Sequence, residues 1–335
     1  MAARERPARF RWGPIFHCGL TLFAVSAIAC MAVPTARAED SQANDYQLAA
    51  YDSLEAEYSA AYESEDYGKA LEIAKEMSEV IWMKHADTLF NIARLYCLLG
   101  DKVKAHEWLQ IAVDAGYWNA HGLREDDCFK KYSEEEVFRA ILKSAWAKGY
   151  IYMLERDERQ EFQKPDEVMA ALAFKEGERV ADIGAGSGYF TIPIAKAVGP
   201  SGAVLAIDIR QEMLDFIERR LELEELENVK LMKVEKDDPQ LPEGGVDTIL
   251  MVDTIHYIQE RGEYAKKLRA GLTPGGRVVI IDYKPKPWEE RPWGPAPQQQ
   301  FPKEQIDADM AEAGLKPIKE FAFLPEQYFV VYGVE

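Results

Sequence analysis

Three glycines at two-residue intervals, Gly184, Gly186 and Gly188, follow the apolar run Val180-Ala181-Asp182-Ile183. The run reads as a buried strand that breaks into a turn at Gly184-Ala185-Gly186-Ser187-Gly188 and enters a helix at Tyr189. Glycine in such a turn admits positive φ and lets a ligand lie against bare backbone, while the helix start points free N–H groups into the same space. Nucleotide-type ligands bind there, at the carboxyl end of a parallel strand. Two acids flank the turn: Asp182, two residues before its first glycine, and Asp208, 20 residues beyond its last. Asp208 ends an expected strand, Ala203 to Ile207. An acid there accepts from both ribose hydroxyls; its other possible role is to cap the helix Gln211 to Leu221. The dinucleotide fingerprint G-x-G-x-x-G is not met, because Tyr189 stands where its third glycine would fall.

The elements that must position these residues alternate. Asn228 to Val234 reads as a third strand, Val246 to Val252 as a fourth running into Asp253-Thr254-Ile255-His256-Tyr257, and Arg277 to Tyr283 as a fifth. A helix at Phe301 to Ala313 and strands at Pro317 to Phe323 and Tyr328 to Val334 complete the set. Such alternation implies an α/β parallel sheet wound on both faces. Pro193 should kink the helix after the glycine turn or end its regular first turn.

The stretch Val180–Gly188, with its G-x-G-x-G spacing and leading Asp182, resembles the first motif of the class I S-adenosylmethionine-dependent methyltransferases. Further motifs follow in that family's order. They are Asp208, the D-x-x-x-L-P context of Lys236-Asp237-Asp238-Pro239-Gln240-Leu241-Pro242, and Gly271-Leu272-Thr273-Pro274-Gly275-Gly276, which is similar to the family's "LkPGG" segment. The likeness spans residues 163–283 and extends to the chain end. It is nearest to small-molecule methyltransferases of the ubiquinone and menaquinone biosynthesis kind.

The resemblance implies a Rossmann-like, seven-stranded, mostly parallel sheet whose antiparallel last strand is inserted between two others. It implies S-adenosylmethionine as cofactor. Asp182 then meets the ammonium, and Gly184, Ala185, Gly186, Ser187 and Gly188 the methionyl portion. Asp208 takes the ribose, Asp237 or Asp238 the adenine amino group, and Asp253 shapes the methionine pocket. The implied acceptor is a small molecule methylated at oxygen or carbon. His256, just past the fourth strand, is the candidate base, with packing beside Tyr257 as its other reading and Tyr283 as a weaker second. No Cys/His cluster has metal-ligand spacing. Lys284 to Pro302, with six prolines plus Trp288 and Trp293, reads either as a lid offering aromatic faces to a planar or apolar acceptor, or as a surface excursion.

A chain of 335 residues, 47% hydrophobic and 29% charged, is an ordinary globular composition of about two domains. Residues 1–38 differ. Arg4, Arg6, Arg9 and Arg11 precede an apolar run from Gly19 to Val33, and Ala36-Arg37-Ala38 offers a cleavage pattern. The order is that of a secretory signal peptide, hence export to a periplasmic or extracytoplasmic space, with an uncleaved membrane anchor as the alternative. Without those 38 residues, which hold five arginines and one glutamate, 35 basic and 57 acidic side chains remain, a net of −22. So acidic a surface argues against nucleic acid as a partner. Of the two cysteines left, Cys97 and Cys128, buried free thiols are favoured over a disulfide.

Residues 41–147 are rich in Ala, Leu, Glu and Tyr. Asp66-Tyr67-Gly68-Lys69-Ala70 and Asp101-Lys102-Val103-Lys104-Ala105 echo each other, their alanines 35 residues apart. These positions resemble a tetratricopeptide repeat, an all-α domain that offers a peptide a concave face or serves as a helical cap. His85, His106 and His121 share no spacing and read as packing or surface residues. A linker at 148–164 follows, where Leu154 to Pro165 is charged and is expected to be a solvated linker rather than a cofactor cover. Asp166 is expected to cap a helix from Glu167 to Phe174, opening the domain at 165–335. The alternative to an enzyme is a non-catalytic adaptor that binds a peptide through residues 41–147.

Overall fold

The computed structural model describes residues 89–291 and 293–334 throughout, together with residues 53, 54, 56–61, 63, 64, 66, 69, 73 and 85–87. The expected signal peptide and most of the first repeat echo lie outside the described residues. The chain divides into two compact units, Met1–Met77 and Ser78–Glu335. In the first, Leu54 and Tyr58 pack on the buried Ala61 and Ile73. The second holds both the later helices expected of the repeat domain and the whole sheet.

Seven strands form one sheet: β1 Arg179–Ile183, β2 Ala203–Asp208, β3 Val229–Lys233, β4 Val246–Val252, β5 Leu272–Tyr283, β6 Leu315–Phe321 and β7 Gln327–Val334. Their order is β3-β2-β1-β4-β5-β7-β6, with β1 to β5 parallel and β7 antiparallel between β5 and β6, as the resemblance implies. The order reverses at β1, so the carboxyl ends of β1, β2 and β4 open a crevice there. β4 has the expected bounds. β5 starts earlier than Arg277, because Val246 pairs with Leu272 and Thr248 with Arg277, leaving residues 273–276 as a bulge.

Side chains along each central strand alternate between two cores. Ile249 and Met251 of β4 and Val278 and Ile280 of β5 face one, where Leu268 of α8 (Arg261–Gly271) and Met310 of α9 (Lys303–Ala311) cover them. Leu250, Val252, Val279 and Ile281 face the other, covered by Val168 and Leu172 of α5 (Pro165–Leu172) and Ile194 of α6 (Thr191–Val198). Apolar runs in the sequence therefore mark strands buried on both faces. Two local expectations differ. The α5 helix begins at Pro165 with Lys164 in the left-handed region at its cap, so Asp166 lies in its first turn and caps nothing. Pro193 is the third residue of α6, where its missing N–H breaks no interior hydrogen bond, and so α6 runs on past it to Val198.

Before the sheet lie α1 Lys102–Asp114, α2 Ala120–Glu125, α3 Glu136–Glu155 and α4 Glu158–Gln163. Ala93, Ala105, Leu109, Phe138 and Ile141 are buried together among them. Cys97 and Cys128 are free buried thiols, with the Cys97 thiol donating to the Cys128 carbonyl at 3.0 Å. His106 packs against the Tyr132 ring, while His85 and His121 are exposed. No helix among the described residues is long and apolar enough to cross a membrane. Because Ile280 is fully enclosed between β4 and β7, Ile280→Ala is expected to lower stability by about 2–5 kcal/mol. Urea unfolding measures this, and a loss under about 1 kcal/mol would contradict the packing.

Candidate active site

A cavity of 330 Å³ opens at the carboxyl ends of β1, β2 and β4, within the range of small-molecule sites. Its floor is the glycine turn. Gly184 (φ +76°), Gly186 (φ +55°) and Gly188 (φ +82°) all take the left-handed conformation that favours glycine. The N–H groups of Gly184 and Ala185 donate back to the Ile207 carbonyl, at 2.8 and 3.1 Å, which pins the turn against β2. The Gly186 N–H donates to Asp208 at 2.9 Å. Gly184 to Ser187 line the cavity; Gly188 does not, and packs against Ile217 of α7 (Gln211–Leu223).

The expected acids divide by depth. Asp208 lies on the wall at the tip of β2, its other oxygen taking the Arg210 N–H at 2.9 Å. The carboxylate is thus fixed in direction and caps no helix through its side chain. Desolvation raises its pKa, opposed by these amides. Asp182 is buried behind the wall and accepts from the Thr191 hydroxyl at 2.6 Å; burial pushes its pKa up to about 6. Asp253 lines the cavity just past β4, in the left-handed region at φ +53°. One of its oxygens accepts from the Gln327 side-chain amide at 2.5 Å. Desolvation, then the nearby Asp282 charge, push its pKa up to about 6, against the pull of Arg159. Asp237 and Asp238 are exposed and do not line the cavity, whose wall here is Val234, Glu235 and Lys236.

His256 is buried and is absent from the wall, which Tyr257 and Thr254 form instead. Its Nδ1 lies 2.8 Å from Asp282, and its Nε2 has no hydrogen-bond partner among the described residues. A neutral ring paired this way with a carboxylate carries its proton on Nδ1 and its lone pair on Nε2.

The roof was not legible in the sequence. Trp146, Tyr150 and Leu154, four residues apart on α3, share one helical face and line the cavity, while Phe138, Ile141 and Ala145 on other faces pack into the preceding helices. A Lys143–Glu212 ion pair and Arg210 stacked 3.9 Å from the Trp146 ring fasten α3 to α7. The charged stretch after Leu154 is not a solvated linker. It folds as α4 and carries Arg159 into the wall, buried over the Tyr189 ring and donating to the Leu154 carbonyl at 2.9 Å. A stripe of large apolar residues at helical spacing, ending just before Arg156 and Arg159, was the signal available.

Comparisons with known proteins agree with this geometry. A sequence-family profile described as a methyltransferase domain matches residues 181–278. An S-adenosylmethionine-dependent methyltransferase structure from Aquifex aeolicus superposes with a TM-score of 0.52 at 27% identity, covering 56% of this chain and 98% of that one. A demethylmenaquinone methyltransferase from Geobacillus sp. (strain WCH70) is 26% identical over 117 residues, 35% of this chain and 50% of its own length. One from Staphylococcus aureus (strain JH9) is 28% identical over 115 residues, 34% and 47%. The chain thus spans about half the length of these curated relatives. Residues 181–278 thus match a methyltransferase domain, and these similarities support S-adenosylmethionine as its cofactor.

The residues present fit that group. The Ser187 hydroxyl is buried in the turn without a hydrogen-bond partner among the described residues, Asp208 is aimed by two amides, and a side chain on Gly184 would sit 2.2 Å from the Thr254 hydroxyl. Gly184→Ala is therefore expected to displace Thr254 and the turn, weakening S-adenosylhomocysteine by about tenfold or more. Calorimetric titration checks it, and unchanged affinity would contradict the described floor.

Proposed function

We propose that the whole chain is an enzyme that transfers the methyl group of S-adenosylmethionine to a small-molecule acceptor, at oxygen or carbon. The observation that carries this reading is one cavity with the glycine turn on its floor, Asp208 on its wall and the aromatic face of α3 over it. When bound, the donor supplies an electrophilic methyl carbon on sulfur, and its thioether leaves without needing an acid.

The protein's main work is to position and to exclude water, worth about 7–11 kcal/mol in well-oriented systems. Arg159 suits the donor's carboxylate, and the Ser187 hydroxyl suits its methionyl portion. An acceptor hydroxyl also needs a base. His256, with Asp282 holding its Nδ1, keeps Nε2 as the accepting atom; it reaches the cavity only past Tyr257, so a small ring rotation belongs to this reading. Such a base contributes about 10²–10⁴-fold.

Aromatic surfaces favour a planar, apolar acceptor. Trp146, Tyr150, Tyr257 and Tyr264 line the cavity. Trp293, from the proline-rich segment, packs at a tilt with its ring centre 4.6 Å from that of Phe162 of α4 and meets Tyr283 edge-on. The names of the two relatives, which act on a demethylmenaquinone, support the same acceptor class.

Two further readings stand as proposals. Residues 1–38 act as a signal that exports the chain, which then needs its donor outside the cytosol. Residues 41–147 form a repeat-like helical array, supported by the alanine echo and by Ala93, Ala105 and Ala112 being buried. Nothing favours the adaptor alternative.

In calorimetric titration the full chain is expected to bind S-adenosylmethionine, and Asp208→Ala to weaken it by about ten- to a hundredfold, as loss of a charged hydrogen-bond acceptor does. No binding at millimolar donor, or unchanged binding in the variant, would contradict the donor site. Fractionation with protease protection tests export: the chain is expected outside the cytosol, and a cytosolic, unprocessed chain would overturn it.

A further inference from the structure

Of the acids on the cavity wall, Asp208 and Glu235 included, Asp253 is the partly buried one that makes no salt bridge and takes no backbone N–H among the described residues, although Arg159 faces it. Asp208 spends its two oxygens on backbone N–H groups of Gly186 and Arg210. Asp182 is sealed behind the wall by Thr191. Asp253 accepts from a neutral donor, the Gln327 amide, and makes no salt bridge among the described residues. Gln327 is itself held by Gln163 of α4 at 3.2 Å, both side chains being fully buried, so its N–H is aimed rather than free to follow a ligand. The left-handed backbone at Asp253 is a further sign of constraint at a functional position.

We propose that Asp253 tells the methyl donor from its demethylated product, setting a carboxylate charge against the donor's sulfonium and offering nothing to the neutral thioether. Donor and product share every hydrogen-bonding group and differ by one methyl and one positive charge. A sulfonium has no N–H to donate, so it asks for charge rather than for lone pairs. Asp253 has that to give, with part of its lone-pair capacity already taken. The enclosed setting strengthens the attraction, since charges interact more strongly away from bulk water. This inference rests on the donor reading above.

Several titratable or charged groups face Asp253: Arg159 from α4, Tyr150 from α3, His256 and Tyr257 after β4, Asp282 and Tyr283 from β5, and Tyr328 from β7. A pH series alone would mix their contributions with that of Asp182, so the decisive comparison is between two ligands on one variant.

Isothermal titration of the full chain with S-adenosylmethionine and S-adenosylhomocysteine separates the cases. Asp253→Asn is expected to weaken the donor by about tenfold, the coupling that one unit of pKa displacement represents, and to leave the product within about twofold. Asp253→Ser, equally uncharged and smaller, should give the same split if the amide disturbs folding. Equal weakening of both ligands would mean that Asp253 holds the ammonium they share, and would overturn the inference. So would no change in either. If the wild-type chain binds neither ligand, the donor reading itself falls, a result distinct from both.

Discussion

Burial of negative charge around one opening is the constraint on which the rest of the structure depends. Asp182, Asp208 and Asp253 stand at the carboxyl ends of adjacent strands, and desolvation raises the pKa of each. The sign follows directly. A carboxyl whose folded pKa lies above its unfolded value favours folding only while protonated, and that contribution is lost as pH rises from the ordinary aspartate range towards about 6 for Asp182 and Asp253. Near neutral pH the ligand-free domain therefore carries these charges at a cost in stability. Neutral donors from Thr191, Gly186, Arg210 and Gln327 limit the cost without cancelling the charge. A ligand bearing positive charge offsets what remains, and electrostatics thereby links stability to function.

The same constraint explains why the amino-terminal helices of the larger unit matter to the site. Charges left open to bulk water would be screened and the cavity polar throughout. Instead α3 turns one face into the helical core and lays Trp146, Tyr150 and Leu154 over the opening, while α4 adds Arg159, a buried cation whose charge acts on Asp182 and Asp253. The ion pair of Glu155 with Arg220, which also donates to the Ser187 carbonyl at 3.1 Å, ties the end of α3 to the glycine turn. Floor and roof are thus joined by polar contacts at the rim and apolar ones inside.

Much of the sheet was legible in the sequence because strand patterning is local. Val246 to Val252 could be bounded to the residue, and the glycine spacing with Asp208 located the crevice, because backbone geometry at a strand-to-helix turn restricts which residues serve there. What stayed hidden was tertiary. Asp182 has the residue type and spacing of a ligand contact, yet Thr191 on the next helix takes its carboxylate. Asp237 and Asp238 occupy the expected motif but turn outward, and Glu235 and Lys236 come to the wall. His256 is paired with Asp282, 26 residues away in sequence, and no local pattern announces that distance. The charged run after Leu154 looked like a solvated linker because its one inward-facing arginine cannot be told by composition from its outward neighbours.

The most direct measurement of the central claim is a crystal structure of the full chain grown with S-adenosylhomocysteine. The account predicts ligand density between the glycine turn and the Trp146–Tyr150 face, with the ribose against Asp208. Density elsewhere, or a Trp146–Tyr150 face packed down onto the turn with no ligand between them, would contradict it.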